Sequence, residues 1–333
     1  MSRVNEYNLV IDGGTTNTRF VLMDHKNEKI VNRIERKVGA SNATSASENE
    51  ELKTTVKDVI CELQKQNDCI IKNVYASGMI TSNAGLYELA HIEAPATVEK
   101  IQSGIHTVSM PEISQNALFH FIPGIKFQNQ RTIGMDMMRG EEVEIFGALE
   151  PEDYQKSIMF VHFGSHNKLI FVKNGVISNA ITTIGGELLW AIANETILKS
   201  SIGNFEETFE IDNDYVELGY HEAKENNISR ALFLARIYQV INQATEEQVK
   251  SFLYGALMFV DLQAFSKLLG NKADKIVLYG RDNFVKTFKT CIRLFAGKEI
   301  TSAEIKEIDF EESEKLSIQG VKMILSNCLL KSE

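Results

Sequence analysis

The stretch Asn8-Leu-Val-Ile-Asp12-Gly-Gly-Thr-Thr-Asn-Thr-Arg-Phe-Val-Leu-Met23 constrains this chain more than any other. An apolar run meets an acid, then a Gly-Gly pair followed by three threonines, then a second apolar run, which reads as strand, tight turn and strand. Glycines at 13 and 14 open backbone conformations closed to other residues and let a ligand approach the main chain. The N–H groups of such a turn, with Thr15, Thr16 and Thr18 around them, can cradle a phosphate. Asp12, at the strand end, is placed to hold Mg2+ directly or through water, because that ion takes oxygen ligands and keeps much of its hydration. The plain alternative is a polar hairpin turn with Asp12 as a turn former.

The same arrangement returns later. Ser157-Ile-Met-Phe-Val-His-Phe163 runs into Gly164-Ser-His-Asn-Lys168, then Leu169-Ile-Phe-Val172 and the turn Lys173-Asn-Gly175. Gly164 follows Gly13 by 151 residues, and Asn174 follows Asn27 of the first turn, Lys26-Asn-Glu28, by 147. Loop and turn recurring in one order at nearly one offset point to an internal duplication of a three-stranded meander, with third strands over 29–38 and 176–178. Two unrelated hairpins are the alternative. In the first half a polar loop over 39–47 leads to a helix over 48–65, with Leu52, Val56, Val59, Ile60 and Leu63 at helical spacing, and then to a strand, 74–77, that breaks at Gly78. In the second half helices over 187–198, 228–242 and 246–269 lead to a strand, 275–279, that breaks at Gly280. Helices over 283–295 and 316–330 close the chain.

Residues 78–125 hold three of the four prolines and read as an excursion that shapes a substrate cleft. Residues 135–149 read as a helix ended by Pro151. The expected organisation is an N-terminal α/β lobe over 1–150 with that insertion, a C-terminal α/β lobe over 151–315, and a closing helix over 316–333 free to return to the first lobe. Two duplicated α/β halves, each with a glycine loop aimed at one nucleotide cleft, describe the ribonuclease H-like fold shared by actin, the Hsp70 ATPase domain and sugar kinases.

At 333 residues the chain is long for one core, which agrees with two units. Hydrophobic residues at 44% and charged residues at 24% give the balance of a globular protein. A net charge of -10 argues against sequence-independent nucleic-acid binding, but not against a nucleotide, whose phosphates need only local donors. Cys61, Cys69, Cys291 and Cys328 show no metal-type pairing and read as reduced thiols of a cytoplasmic protein. Residues 1–8 lack a signal peptide's apolar core, and no run reaches the roughly 18 apolar residues of a membrane span, so no membrane partner is expected.

With these pieces placed, the chain resembles the 2-dehydro-3-deoxygalactonokinases, kinases of that actin-like superfamily. Asp12-Gly-Gly-Thr-Thr-Asn-Thr-Arg19 is similar to the family's opening Asp-Trp-Gly-Thr-Thr-Asn-x-Arg, and Gly78-Met-Ile-Thr-Ser-Asn83 to its Gly-Met-Ile-Gly-Ser-Arg. Glu93-Ala-Pro and Pro123-Gly124 have counterparts, and Asp136-Met-Met-Arg-Gly-Glu-Glu-Val-Glu-Ile-Phe-Gly147 is the most specific match. Phe163-Gly-Ser-His-Asn-Lys168 looks like Pro-Gly-Thr-His-Ser-Lys, and Ile184-Gly-Gly-Glu-Leu-Leu189 like Met-Thr-Gly-Glu-Leu-Phe. Phe252-Leu-Tyr-Gly255 matches Tyr-Leu-Ser-Gly, so the likeness runs in order from residue 9 to about 285. It implies ATP-dependent phosphorylation of the terminal hydroxyl of 2-dehydro-3-deoxygalactonate, a small sugar acid, with Mg2+ at Asp12. Gly13, Gly14, Thr15 and Thr16 and then Gly164, Ser165, His166 and Lys168 would grip the ATP phosphates, and Gly280 would border the adenosine. Asn17, Arg19, Met79, Asn83, Arg139 and Glu141 fall on the substrate side. Asn83 stands where the family has arginine, the natural bidentate partner of a carboxylate. A kinase for another sugar, or a non-catalytic nucleotide or sugar sensor, is the alternative function.

Phosphoryl transfer needs an in-line hydroxyl, neutralisation of charge, and a carboxylate to accept the hydroxyl proton. Asp136 is the candidate base; as a structural residue it would be the N-cap of a helix from Met137 onward. Arg139 would clamp a substrate or phosphate oxygen, or face solvent and pair with Glu142 at i, i+3. Glu141 and Glu142 read as helix surface or cleft structure. His162 and His166 flank a strand-to-loop corner, and a four-residue spacing puts two ligands on one face only in a helix, so no zinc site is expected. Trp190 reads as core.

Overall fold

The computed structural model describes residues 5–24, 29–40, 49–128, 134–204, 209–270, 272–295 and 303–329. The turn expected over Lys26-Asn-Glu28 and most of the loop expected over 39–47 lie outside them, as does the side chain of Cys328. The chain divides into two units, one of Met1–Pro151, Gly175–Ile177 and Glu314–Glu333, the other of Glu152–Asn174 and Ser178–Ser313.

The first unit opens with β1 (Asn5–Gly13), β2 (Thr18–Asp24) and β3 (Ile30–Arg36) as an antiparallel meander. Helix α1 (Glu50–Asn67) starts where the Asn49 side chain accepts from the Leu52 N–H at 3.1 Å, and it buries Leu52, Val56, Val59, Ile60 and Leu63 as their spacing predicts. It leads into β4 (Cys69–Gly78), parallel to β1, and a 3-10 turn over Met79–Thr81 follows. The insertion carries β5 (Ile92–Glu93), α2 (Val98–Ser103), β6 (His106–Ser109), β7 (Leu118–Phe121) and β8 (Ile125–Phe127). Its strands divide: β7 and β6 extend the main sheet, whose order is β3-β2-β1-β4-β7-β6, while β5 and β8 belong to a small sheet. Then come β9 (Asp136–Met138), the third strand of that sheet in the order β5-β8-β9, and α3 (Glu141–Ala148).

The helix expected over 135–149 is therefore only eight residues long. Residues 136–138 pair instead with β8, and Gly140 turns the chain at φ +105° before the helix begins. Asp136 cannot be its N-cap; that position is Gly140.

In the second unit β10 (Ser157–Phe163), β11 (Asn167–Lys173) and β12 (Val176–Thr183) repeat the meander. Four helices follow: α4 (Gly185–Glu195), α5 (Lys199–Ile202), α6 (Asn213–Asn242) and α7 (Glu246–Leu269). The helix read over 228–242 extends back to Asn213 across a break at Asn227, where φ is 62° and ψ 164°. Helix α7 opens with a capping box between Thr245 and Gln248. Strand β13 (Lys275–Gly280) lies parallel to β10, with α8 (Asp282–Phe295) and β14 (Glu304–Glu307) after it, and the sheet order is β12-β11-β10-β13-β14. The chain ends in α9 (Phe310–Leu329), which belongs to the first unit from Glu314 onward.

Both sheets thus place the first strand of a meander between its hairpin partner and a parallel strand that ends in glycine. Gly13 pairs with Gly78 and Phe163 with Gly280, so the duplicated position of Gly13 is Phe163, and that of Asp12 is His162. The repeat is one of backbone and not of charge.

Helices α6 and α7 touch where Gly219 and Gly255 face each other's neighbours. A β-carbon at Gly219 would lie 2.0 Å from the Phe252 carbonyl oxygen, and one at Gly255 2.0 Å from that of Val216. Helix α7 is the one helix among the described residues long and apolar enough to cross a membrane, and 72% of its apolar window is buried in the protein. Its apolarity is that of a core helix, with Phe252, Leu253, Leu257, Leu262 and Phe265 at 1% exposure or less. Trp190, by contrast, is 48% exposed and is not core. A buried ion pair, Lys275 to Asp153 at 3.1 Å, fixes β13 to the segment that precedes β10.

Candidate active site

In the first unit the β1–β2 turn closes through the Gly14 N–H, which donates to the Asn17 carbonyl at 2.8 Å. Thr15 and Asn17 are partly exposed and Thr16 is exposed, whereas Thr18 is fully buried and donates its hydroxyl to the Val38 carbonyl at 2.7 Å. Of the hydroxyls read as a phosphate cradle, Thr18 is a structural tie. A β-carbon at Gly13 would stand 2.6 Å from the Ile80 β-carbon, so the departure from the family's tryptophan is matched by close packing of the 78–81 turn. Gly78 has φ +82°, and a β-carbon there would be 2.5 Å from the Gly13 carbonyl oxygen and 3.3 Å from Asp12 Oδ1. Only glycine lets this turn lie against Asp12.

Asp12 is partly buried and faces the Arg19 guanidinium at 3.7 Å. Burial pushes its carboxyl above the usual range, Arg19 opposes the shift, and Glu141 and Glu35 add to it. The start of α3 adds more acid. Glu144 is raised well above its ordinary value, first by burial and then by Asp12 and Glu141, with Arg19 opposing, and its Oε2 is buried with no hydrogen-bond partner. Glu142, read as helix surface or cleft structure, is fully buried. Both its oxygens accept from the Gly140 N–H at 2.9 Å, and burial followed by Glu141 pushes its carboxyl up to about 8. The sequence held a signal for it, since Glu142 lies three and four residues before Ile145 and Phe146, on the apolar stripe of α3.

Arg139 is partly buried. Its Nη1 donates to Thr81 Oγ1 at 2.8 Å and its Nη2 to the Leu89 carbonyl at 2.6 Å, which ties the 78–91 segment to the chain ahead of α3. It is therefore a brace of that segment, and its charge also acts on Glu142, the i, i+3 neighbour read from the sequence. Desolvation beside Arg139 lowers His91 to about 4. Met79 is partly buried in the turn and Asn83 is exposed. Asp136 is partly exposed at the head of β9, with Oδ1 accepting from the Met137 N–H at 2.7 Å. The structure thus brings Asp12, Gly13, Gly78, Arg19 and Glu141 together.

The donor set fits a hard cation, which prefers carboxylate and water oxygens, and the orphaned Glu144 Oε2 is one such donor. No group of three or more His, Cys, Asp or Glu among the described residues is arranged to ligate an ion directly.

In the second unit the turn Gly164-Ser165-His166 sits against the first turn of α4. The Glu187 N–H donates to the Ser165 carbonyl at 2.9 Å, and a β-carbon at Gly186 would lie 1.9 Å from the Gly164 oxygen. His166 Nε2 is 3.4 Å from Glu187 Oε1. Lys168 is 5% exposed, in β11 opposite His162, and is no solvent-facing cation of the turn. The His162 ring packs on Tyr279 at 4.9 Å between centroids. Gly280 has φ +108°, and a β-carbon there would meet the Phe163 carbonyl oxygen at 2.1 Å. Sequence reasoning missed the buried bond from Asn167 Nδ2 to Asp261 Oδ2, 2.7 Å long. Its signal was the lone acid within the apolar run of α7.

A family model described as 2-keto-3-deoxy-galactonokinase matches residues 12–308. The chain belongs to that family. It is accordingly a phosphotransferase with an alcohol group as acceptor, and its fold is the duplicated actin-like ATPase fold. A solved structure from Sinorhizobium meliloti, provisionally described as a 2-dehydro-3-deoxygalactonokinase, is similar over 96% of this chain and 98% of its own at 18% identity and a TM-score of 0.73. A reductive activator for a corrinoid, iron-sulfur protein is similar over 99% of this chain and 62% of its own at 13% identity, with a TM-score of 0.51. Glucokinase from Balamuthia mandrillaris in complex with glucose is similar over 97% and 94% at 12% identity, with a TM-score of 0.46. No curated protein matches the chain. The family match spans the acid cluster, both glycine turns and Asp261.

Proposed function

We propose that this kinase uses ATP to phosphorylate the terminal hydroxyl of 2-dehydro-3-deoxygalactonate. The family match over 12–308 carries the reading, and the glycine turns and charged residues of both units support it. The turn at Gly13, Gly14, Thr15 and Thr16 and the turn at Gly164, Ser165 and His166, with Lys168 beneath it, take the phosphates, and Gly280 borders the adenosine. Asp12 would hold Mg2+, directly or through water. When bound, that ion neutralises charge on the phosphates. Asn17, Arg19, Met79, Asn83 and Glu141 face the acceptor, and Arg139 acts there by bracing the segment that carries Met79 and Asn83.

Asp136 accepts the hydroxyl proton as the acceptor oxygen bonds to the γ-phosphorus and the bond to the β,γ-bridging oxygen breaks, leaving ADP. With the capping role removed by the start of α3 at Glu141, a partly exposed carboxylate remains. A second reading, a neutral sugar as acceptor, is favoured by exposed Asn83 in place of the family's arginine.

Coupled ADP release over a panel of sugar acids and neutral sugars, with free phosphate followed in parallel, tests both. The first reading predicts the highest kcat/KM on 2-dehydro-3-deoxygalactonate. A preference for a neutral sugar selects the second. Phosphate release without an acceptor, or no turnover on any member, rejects both.

A further inference from the structure

The turn Gly164-Ser165-His166 rests on the first turn of α4, so the residues that fix the start of α4 and the strand leaving the turn set its position. The residue after it, Asn167, is fully buried at the start of β11. Its carboxamide donates to Asp261 Oδ2 at 2.7 Å, and its Oδ1 has no hydrogen-bond partner. Asp261 alone therefore orients that amide. Asp261 is 3% exposed on α7, and Thr183, which precedes α4, also gives it a side-chain hydrogen bond. One carboxylate thus holds both flanks of the turn, Asn167 on the outgoing strand and Thr183 at the approach to α4.

The packing leaves no slack between these flanks. A β-carbon at Gly185 would lie 2.5 Å from Asp261 Oδ2 and 2.6 Å from Asn167 Nδ2, so α4 starts directly on this hydrogen bond. From there its first turn reaches the loop, where the Glu187 N–H donates to the Ser165 carbonyl at 2.9 Å. Burial pushes the Asp261 carboxyl up to about 6, opposed by its two hydrogen bonds, so near neutral pH it is mostly ionised and accepts from both neighbours.

We infer that Asp261 is a positioning residue for the phosphate-binding turn 164–166, acting through the Asn167 carboxamide and the start of α4. The inference rests on the proposal that this turn receives nucleotide phosphates. Asp261 is too deeply buried to touch the nucleotide itself, so its loss should act on ATP and not on the acceptor.

The test compares Asp261→Leu, Asp261→Asn and Asn167→Ala in the full chain. The readouts are calorimetric binding of a non-hydrolysable ATP analogue with Mg2+, KM for ATP and for the acceptor, and the melting temperature. Asp261→Leu should raise KM for ATP and the analogue Kd about tenfold or more, roughly one broken charge-assisted hydrogen bond, with the acceptor KM within about twofold. Asp261→Asn should stay within about threefold of the parent, because its oxygen can accept from Asn167 and its amide can donate to the Thr183 hydroxyl. Should Asp261→Leu fail to fold, Asn167→Ala decides, since it removes the connecting amide and should reproduce the ATP effect. Folded Asp261→Leu or Asn167→Ala protein with unchanged analogue affinity, or a rise in both KM values together, overturns the inference alone. A parent protein that binds no ATP analogue overturns the phosphate-turn proposal, and the inference with it.

Discussion

Asp136 is where the proposed chemistry is most exposed to test, because its rival role is gone: the helix it would have capped begins at Glu141. Asp136→Asn should lower kcat by about 10²–10⁴-fold, the usual contribution of a general base, and leave nucleotide affinity nearly unchanged. Steady-state kinetics with parallel ATP titration checks this, and near-normal turnover would remove Asp136 from the mechanism. The proposed acceptor role of Asn83 has its own test. An amide offers two N–H donors and no charge, so Asn83→Arg should raise kcat/KM for the sugar acid relative to a neutral sugar. A flat ratio in the folded variant would show that position 83 does not meet the carboxylate.

Glu142 gives a stability signature. Burial, with Glu141 beside it, pushes its folded carboxyl up to about 8, against about 4.3 for an unfolded glutamate. Between those values the folded protein keeps a proton that the unfolded chain has released, so this residue makes stability fall as pH rises through the window. Glu142→Gln removes that fall. Its melting temperature relative to the parent should therefore climb by several degrees between pH 5 and pH 8, about 2–4 °C for each kcal/mol. A gap that does not change with pH would contradict the buried neutral carboxyl. At this scale the sequence was only partly legible. Asp12 and the glycines announce themselves by type and spacing, but Glu142, Glu144 and Asp261 matter through burial, which one residue's identity does not reveal.

Secondary elements were legible wherever periodicity was strong and caps were present. Helix α1 shows both, an apolar stripe of Leu52, Val56, Val59, Ile60 and Leu63 and a cap at Asn49, and it lies within two residues of the expected bounds at each end. Around Asp136 the same reasoning failed, because residues 136–138 are short, pair only with β8, and are followed by a glycine that restarts the chain as a helix. Gly255 shows what a motif can mean at this scale. It belongs to a stretch that resembles the family, yet its place is in helix packing, where its missing side chain admits the Val216 carbonyl. Gly255→Ala should cost about 1–3 kcal/mol, the range for overpacking, and lower the urea midpoint of the second unit. An unchanged midpoint would mean that α6 and α7 can separate without loss.

Over the whole molecule the duplication could be read from two glycine-broken hairpins, and both sheets have the same strand logic. What spacing could not supply was the register. The β-ladder places His162 at the position of Asp12, so the two halves differ in charge where their backbones agree. The central claim is transfer of the γ-phosphoryl group to a sugar-acid hydroxyl. Phosphorus NMR of a reaction containing the protein, MgATP and 2-dehydro-3-deoxygalactonate tests it most directly. The account predicts one new phosphomonoester signal, split by the two protons of a terminal methylene and equal in amount to the ADP formed. Inorganic phosphate in place of that signal, or ATP left intact, would contradict it.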